Sequence, residues 1–421
     1  MTAMTRLLLT IALCLAAGFS GASAAVPGAA SDVRLLGEQM ETLHPDLFAS
    51  VNRTRFRSAV NGLAARADTL SENELFVELM RIAALPGNGN GHTGIFPGDP
   101  GHGREMHLYP VRLYTFPDGS YVVDTEGNEE LVGARLTAVG GLPYAEVAKR
   151  VRPLVPHDNE SSWKGLLPHY LLSAEVLDGL GIADGLSPLE FTFTREGQPQ
   201  TVTLSPIPVP AYVSAFADPH YGHYPSILPR HAPVPMYLTK LGPNIWFDTI
   251  DRGRAVFVGY NAVQPMADSF VRRVQAAARK PKVRRVIVDL RLNGGGNNTT
   301  YGTLLAALRS PSINRRGRLF VLIGRATFSA AANFAADVDR STKAIFVGEP
   351  TGGGVKIYGD AVPFQLPKSG IEARVAARYW DFSKGPRDRR LAVNPDRKVT
   401  VTVADFLAGR DPVLEAALSA R

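Results

Sequence analysis

Cysteine is almost absent from this 421-residue chain, and the one cysteine, Cys14, lies in an apolar stretch near the N-terminus. That stretch has the features of a signal peptide: Arg6 precedes the apolar residues 7–18, and the small-x-small sequence Ala-Ser-Ala follows at 22–24. We therefore predict that residues 1–24 are a signal peptide and that the protein is exported, to the periplasm or outside the cell. The mature protein would then have no disulfide, no catalytic thiol and no cysteine-based metal site.

Long basic runs and long apolar runs are also missing. The net charge of +7 comes from 46 Lys and Arg against 39 Asp and Glu, spread along the chain. Nucleic-acid binding needs clustered positive charge, so we expect no nucleic-acid partner. After the leader, no apolar run approaches the ~20 residues that a transmembrane helix needs, so we predict no integral membrane segment in the mature protein. Hydrophobic residues make up 45% of the chain, enough for a sizeable core.

Clusters of histidine and cysteine that would suggest a metal site are few as well. His220, His223 and His231 lie close together, but no cysteine and no acidic ligand at helical spacing accompanies them. A metal site needs a defined set of such ligands. We therefore interpret the three histidines as solvated loop residues, and we expect neither a metal nor a cofactor.

The periodicity of apolar residues, together with the turn residues between them, divides the chain into five segments. They are the signal peptide (1–24), an N-terminal helical unit that ends in the loop of His92 (25–103), a mostly β domain with a helical insertion near 161–181 (104–207), a linker rich in proline and histidine (208–240) and an α/β domain (241–421). In the helical unit, one helix opens at Ser31 and stops before Pro45, and another opens at Ser71, which forms a capping-box pattern with Glu74. A third helix lies between these two.

The C-terminal segment contains three continuous apolar runs separated by two helical stretches. The runs are 283–290, 319–324 and 344–348, and the helices are 299–309 and 329–341. Buried runs that alternate with helices favour a parallel sheet with crossover helices, which predicts a fold of the α/β class. A last helix is predicted over 405–421.

Two of the strand ends carry residues suited to acyl-transfer chemistry. Residues 289–296, Asp-Leu-Arg-Leu-Asn-Gly-Gly-Gly, follow the first run, and glycines there let backbone N–H groups approach a ligand closely. Ser329 follows the second run and begins a helix, whose free N–H groups could hold an oxyanion. Serine is also a common N-cap, so capping alone would explain Ser329. The two features together, one strand apart in a parallel sheet, favour a nucleophile.

These segments belong to a wider pattern of short motifs. The motifs are residues 289–296, Thr-Phe-Ser-Ala-Ala at 327–331, Gly-Glu-Pro-Thr-Gly-Gly at 348–353, Pro-Asp at 395–396 and Asp-Pro-Val-Leu-Glu at 411–415. Together they resemble the catalytic domain of the tail-specific, or C-terminal processing, peptidases. Gly-His-Thr at 91–93 resembles, more weakly, the Asp-Gly-His-Thr segment of that family, and residues 104–207 resemble a divergent PDZ-like domain.

The resemblance implies a fold and a site. The fold is a crotonase-like (ClpP/crotonase) α/β catalytic core, with an N-terminal helical unit and a mostly β PDZ-like domain. Ser329 would be the nucleophile, and backbone N–H groups at Gly295, Gly296 and Ala330 would form the oxyanion hole. No cofactor is required for this chemistry.

The family has two catalytic branches, which differ in the general base. In one branch a lysine lies 25 residues after the serine, but that position here is Gly354, and Lys356 is displaced by two. In the tricorn-like branch the base is a histidine upstream of the PDZ-like domain, and His92 fits that role. We therefore expect the imidazole of His92 to lie within hydrogen-bond reach of the Ser329 hydroxyl.

The acid that orients the histidine in the tricorn-like branch is missing from its expected place. Arg389 stands there, beside Asp388, and Gly91 stands where that branch has a serine before the histidine. Asp388 is our predicted orienting acid and Glu349 is the alternative. These departures leave two functions open: a serine-type peptidase acting on peptide or protein substrates, and a catalytically weakened pseudo-protease that binds peptides.

Overall fold

The computed structural model describes residues 24–97, 104–216 and 233–420. The predicted signal peptide, apart from Ala24, and the histidines at 220, 223 and 231 lie outside these residues. The described part is a mixed α/β structure with several sheets. None of its helices has both the length and the apolar character needed to cross a membrane.

The N-terminal part is helical, as predicted. Its helices are α1 (Ala29–Leu43), α2 (Leu47–Ser50), α3 (Arg53–Ala64) and α4 (Glu72–Ala83). The predicted capping box of α4 is present: the Ser71 hydroxyl accepts a hydrogen bond from the N–H of Glu74, and the Glu74 carboxylate accepts one from the N–H of Ser71. Helix α1 ends before His44, whose extended backbone fits the restriction that Pro45 places on the preceding residue.

The middle part is built around one antiparallel sheet. Its elements are β1 (His107–Leu108), β2 (Val111–Phe116), β3 (Gly119–Thr125), β4 (Arg135–Val139), β5 (Leu142–Pro143), α5 (Tyr144–Val151), α6 (Glu160–Leu172), α7 (Ala174–Gly179), β6 (Leu189–Arg195), β7 (Gln198–Leu204), β8 (Ile207–Pro208) and α8 (Val209–Phe216). The strand order is β2-β3-β4-β6-β7, with β5 paired to β4, and β1 pairs with β8 separately. Helix α8 lies where we predicted an irregular linker, because the proline-rich composition hid buried Val209, Tyr212 and Phe216 at helical spacing.

The C-terminal part contains a largely parallel sheet. Its elements are β9 (Ile245–Ile250), β10 (Ala255–Tyr260), α9 (Asp268–Ala278), β11 (Arg285–Asp289), α10 (Gly302–Leu308), β12 (Leu319–Ile323), α11 (Ser329–Ser341), β13 (Ile345–Gly348), β14 (Lys356–Gln365), β15 (Glu372–Asp381), β16 (Arg397–Lys398), α12 (Val403–Leu407) and α13 (Pro412–Ser419). The strand order is β16-β13-β12-β11-β10-β9, and only β9 is antiparallel. Helices α9, α10 and α11 are crossovers; α10 and α11 lie in the two predicted helical stretches, and α9 was not predicted. The predicted last helix is instead two short ones, interrupted at Gly409, whose φ is +63°.

The described residues pack into two main regions, and these regions determine where the loops of the N-terminal, middle and C-terminal parts meet. The parallel sheet buries one face against α9, α10 and α11 and the other against α13. A separate, continuous core joins α1, α3 and α4 to the middle sheet and to residues of the β14–β15 hairpin. The N-terminal helices, the middle sheet and the hairpin are therefore held together beside the parallel sheet.

Helix α1 holds the turn of the β14–β15 hairpin through one buried carboxylate. Asp32 is fully buried and accepts hydrogen bonds from the backbone N–H groups of Lys368 and Ser369, and from the Ser369 hydroxyl. The distances lie between 2.7 and 3.1 Å. Backbone groups of the hairpin turn are thus satisfied by a buried side chain from the opposite end of the chain.

Replacing Asp32 by alanine should destabilise the fold by about 1–3 kcal/mol, because the N–H groups of Lys368 and Ser369 lose their buried acceptor. We expect a fall of several degrees in the midpoint of thermal unfolding followed by circular dichroism. Asp184→Ala, at an exposed position, is the matched control and should unfold near the wild-type temperature. Equal midpoints for the two variants would contradict this role of Asp32.

Candidate active site

Ser329 is the first residue of α11 and has an unusual backbone conformation. Its φ is +48°, a left-handed value that is strained for a residue with a side chain. Phe328 occupies the N-cap position, and the Ser329 side chain makes no capping hydrogen bond. The N-cap explanation of this serine is therefore wrong. A strained serine between a strand and a helix instead resembles the arrangement that exposes a nucleophilic hydroxyl.

His92 meets Ser329 directly, which confirms the predicted proximity. Nε2 of His92 lies 3.0 Å from Oγ of Ser329, although 237 residues separate them in sequence. The imidazole stacks on the ring of Phe328, with ring centroids 4.6 Å apart and planes 20° apart. Phe328 thus fixes the plane of the imidazole beside the serine that follows it in the chain.

The loop that carries His92 is fastened to the β14–β15 hairpin. The N–H of Tyr358 donates to the carbonyl of Gly89 at 3.0 Å, and Gly94 pairs with Arg374 in an antiparallel bridge. Between these points, the hydroxyl of Thr93 accepts a hydrogen bond from the N–H of Ala376 at 3.0 Å. The loop therefore follows the hairpin on both sides of His92.

His44, which follows α1, supports the same loop. Its Nδ1 accepts a hydrogen bond from the N–H of Asp46 at 3.2 Å, so Nε2 carries the proton and donates to Oδ1 of Asn90 at 2.7 Å. Burial lowers the pKa of His44 and keeps this imidazole neutral. The end of α1 is thus linked to the residue two positions before His92.

Asp158 is a site residue that sequence reasoning missed. It is 1% exposed, and its carboxylate accepts a hydrogen bond from the N–H of Gly91 at 2.7 Å and from the N–H of Gly354 at 3.2 Å. A Cβ atom at Gly91 would lie 2.9 Å from Asp158 Oδ1, so a side chain does not fit there. This explains why a glycine precedes His92. Burial raises the pKa of Asp158 to about 7, although the two N–H groups oppose the shift.

The glycine loop after β11 lies against Ser329. Gly295 has a φ of +121°, and a Cβ atom there would lie 2.6 Å from the Cβ of Ser329. The N–H of Gly295 donates to Oδ1 of Asn293 at 3.0 Å, so it is not available to an oxyanion. The N–H groups of Gly296 and Ala330 have no acceptor among the described residues. The absence of a side chain at Gly295 thus leaves room for Ser329, while Gly296 and Ala330 have N–H groups that can donate to an oxyanion.

The two acids predicted to orient His92 are engaged elsewhere. The carboxylate of Asp388 accepts hydrogen bonds from the side chain and N–H of Arg390 and from the N–H of Lys384. The Arg390 bonds, with these backbone donors, hold the pKa of Asp388 well below its usual range. Glu349 forms a two-pronged ion pair with Arg325 at 2.9 and 3.0 Å. The structure brings neither acid into hydrogen-bond contact with His92.

Lys356, the possible base of a shifted serine–lysine pair, also points to another partner. Its ammonium lies 3.8 Å from the carboxylate of Asp381, across the β14–β15 hairpin. It makes no hydrogen bond to Ser329. Of the two candidate bases, the structure therefore places His92 at the serine.

A cleft of about 330 Å³ opens beside Ser329. The residues that line it are Gly296, Asn297, Asn298, Thr299, Ser329, Ala330, Asn333, Ile357, Gly359, Asp360, Arg378 and Trp380. Its walls are therefore the glycine loop, the start of α11 and the hairpin. Within the described residues, no group of three His, Cys, Asp or Glu side chains is placed to hold a metal ion.

Comparison with solved structures shows where this fold occurs. The structure of mature CPAF complexed with lactacystin matches with a TM-score of 0.60 and 13% identity, over 92% of this chain and 96% of that one. A mutant of CPAF matches at 0.61 and 14%, over 93% and 98%. The photosystem II D1 C-terminal processing protease matches at 0.42 and 13%, over 92% and 99%, too weakly to support an argument. The two CPAF structures show a likeness of fold, which agrees with the resemblance predicted from the sequence.

No family model matches the chain, and no curated protein matches it. The likeness to CPAF therefore rests on structure alone.

The buried carboxyl of Asp158 should make stability depend on pH. Its folded-state pKa of about 7 lies above the unfolded value of about 3.9, so the folded state binds more protons between these pH values. The free energy of unfolding should therefore fall as the pH rises from about 4 to about 7, and Asp158→Asn should lack this contribution.

Urea unfolding of both proteins across this range measures the effect. The stability of the wild type relative to Asp158→Asn should decrease up to about pH 7 and then level off. A relative stability that stays constant across this range would mean that Asp158 is ionised throughout.

Proposed function

We propose that the protein is a serine-type peptidase that hydrolyses peptide bonds in exported polypeptides. The observation that carries the proposal is the 3.0 Å contact between Nε2 of His92 and Oγ of Ser329. The strained φ of Ser329, the nearby N–H donors and the likeness of fold to CPAF support it. In this proposal Ser329 is the nucleophile and His92 is the general base.

The proposed reaction has two halves. The Oγ of Ser329 attacks the peptide carbonyl carbon while Nε2 of the neutral His92 takes the hydroxyl proton. The N–H groups of Gly296 and Ala330 stabilise the oxyanion, and His92 then gives its proton to the leaving amine. In the second half, water replaces the serine as nucleophile. Its attack, again assisted by His92, breaks the ester and returns the serine hydroxyl.

Peptide binding without hydrolysis is the competing function. It is suggested by Gly354 at the position of the family's lysine, and by the engagement of Asp388 and Glu349 with arginines. The contact between His92 and Ser329 favours hydrolysis instead, because a binding protein has no need of a base on a strained serine. A serine-reactive phosphonate distinguishes the two, since it labels only an activated hydroxyl.

We also propose that the α/β segment 241–421 is a crotonase-like core and that 104–207 is a PDZ-like domain. The crossover helices α9, α10 and α11 on a parallel sheet support the first assignment. The compact antiparallel sheet with its short helix α5 supports the second. The sequence of residues 1–24 is the basis for an exported, periplasmic or extracellular setting.

Ser329→Ala should abolish peptide hydrolysis and leave the fold intact, with a loss of roughly 10⁴-fold or more. His92→Ala should lose nearly as much, and the double variant little more, because the two groups act as one unit. Release of a fluorophore from peptide substrates measures the rates. Lys356→Ala, which removes the ion pair with Asp381, is the control and should keep most of the activity. An inactive Lys356→Ala beside an active His92→Ala would transfer the role of base to the lysine.

Asp388→Asn and Glu349→Gln test whether an acid orients His92. Both carboxylates are bound by arginine side chains, so we expect each variant to hydrolyse peptides within a few-fold of the wild-type rate. In a serine protease the loss of the orienting acid costs ~10⁴-fold. A loss of that size in either variant, with unchanged thermal stability, would identify it as the orienting residue.

A further inference from the structure

Asn333 is a buried polar residue at the wall of the cleft. It is 3% exposed, and its Oδ1 has no hydrogen-bond partner among the described residues. Buried polar side chains in folded proteins nearly always have a partner, so an exception at a candidate active site points to a ligand. Asn333 follows Ser329 by four residues on α11, which places both side chains on one face of the helix.

The position of the cleft indicates which part of a substrate would occupy it. In the proposed reaction His92 hands its proton to the leaving amine, so the leaving half of the substrate lies next to His92. The cleft is lined by Gly296 and Ala330, the proposed oxyanion donors, and His92 is not among the described residues that line it. The acyl half therefore extends into the cleft, beginning with the residue on the N-terminal side of the scissile bond.

The charged residues at the cleft do not favour a substrate side chain that is ionised. Arg378 and Asp360 lie at the rim, 4.0 Å apart and more than half exposed, and their charges oppose each other. The buried carboxamide of Asn333 is neutral, and an ionised group placed against it would lose water without gaining a counter-ion. An apolar side chain there would keep Oδ1 without a partner.

We propose that this cleft is the subsite for the residue preceding the scissile bond, and that Asn333 selects a neutral side chain carrying a hydrogen-bond donor. Glutamine and asparagine fit best, because a carboxamide both donates to Oδ1 and accepts from Nδ2. Serine and threonine can donate but reach less far. This inference rests on the proposed peptidase function and assigns the selectivity of the same site.

Matched peptides that differ only at this residue, glutamine against methionine, test the proposal because the two side chains are similar in length. For the wild type we expect kcat/KM to be about 10- to 100-fold higher with glutamine, the range expected when a buried acceptor gains or lacks its donor. In Asn333→Leu, the ratio of kcat/KM with the glutamine peptide to kcat/KM with the methionine peptide should fall to one or below. Asn61→Leu makes the same chemical change on the exposed face of α3 and should retain the wild-type ratio.

Thermal unfolding of Asn333→Leu shows whether it folds, and Asn333→Ser removes the carboxamide with less bulk if it does not. A wild type without the glutamine preference, or a preference that survives in these variants, would overturn the role of Asn333. Labelling of Ser329 by a serine-reactive phosphonate is measured in parallel. Absence of labelling and of hydrolysis would refute the peptidase function itself, whereas labelling with no glutamine preference would refute only this inference.

Discussion

The carboxylate of Asp158 accepts hydrogen bonds from two loops that lie at opposite ends of the chain. One donor is Gly91, the neighbour of His92, and the other is Gly354, in the loop between β13 and β14. Adjacent residues at the start of α6 add to this junction: the side chain of Asn159 donates to three carbonyl groups, including those of Thr351 and Gly352. This junction holds the loop of His92 near the segment that follows β13, and it acts together with the hairpin contacts and the stacking of Phe328 to place His92 beside Ser329.

The site is consequently assembled from three parts of the chain rather than from one. The serine comes from the parallel sheet, the histidine from a loop after the N-terminal helices, and the buried carboxylate from the start of a helix in the middle part. The hairpin of β14 and β15 links the histidine loop to this frame through backbone hydrogen bonds. The hairpin contacts at Gly89 and Gly94 are made by backbone groups, so they do not depend on the identity of a side chain at Tyr358 or Arg374.

Much of this arrangement could be predicted from the sequence, where the signal was local. Helix α11 begins and ends at the predicted residues, since its apolar periodicity and its preceding strand are both clear. Ser329 and His92 stood out through short motifs. Asp158 and Asn333 did not, because each acts through burial, and burial by distant segments leaves no mark in a single sequence. Asp388 was a misleading candidate, since its partner Arg390 is only two residues away and satisfies it locally.

The long separation between His92 and Ser329 has a consequence for when the site is assembled during biosynthesis. The ribosome adds roughly 5–20 residues per second, so on the order of 10–50 seconds pass between the synthesis of His92 and that of Ser329. Until α11 has docked on its sheet and the loop of His92 has reached the hairpin, the serine is an ordinary alcohol. Before folding, the chain therefore lacks the contact between His92 and Ser329, and folding itself assembles the pair.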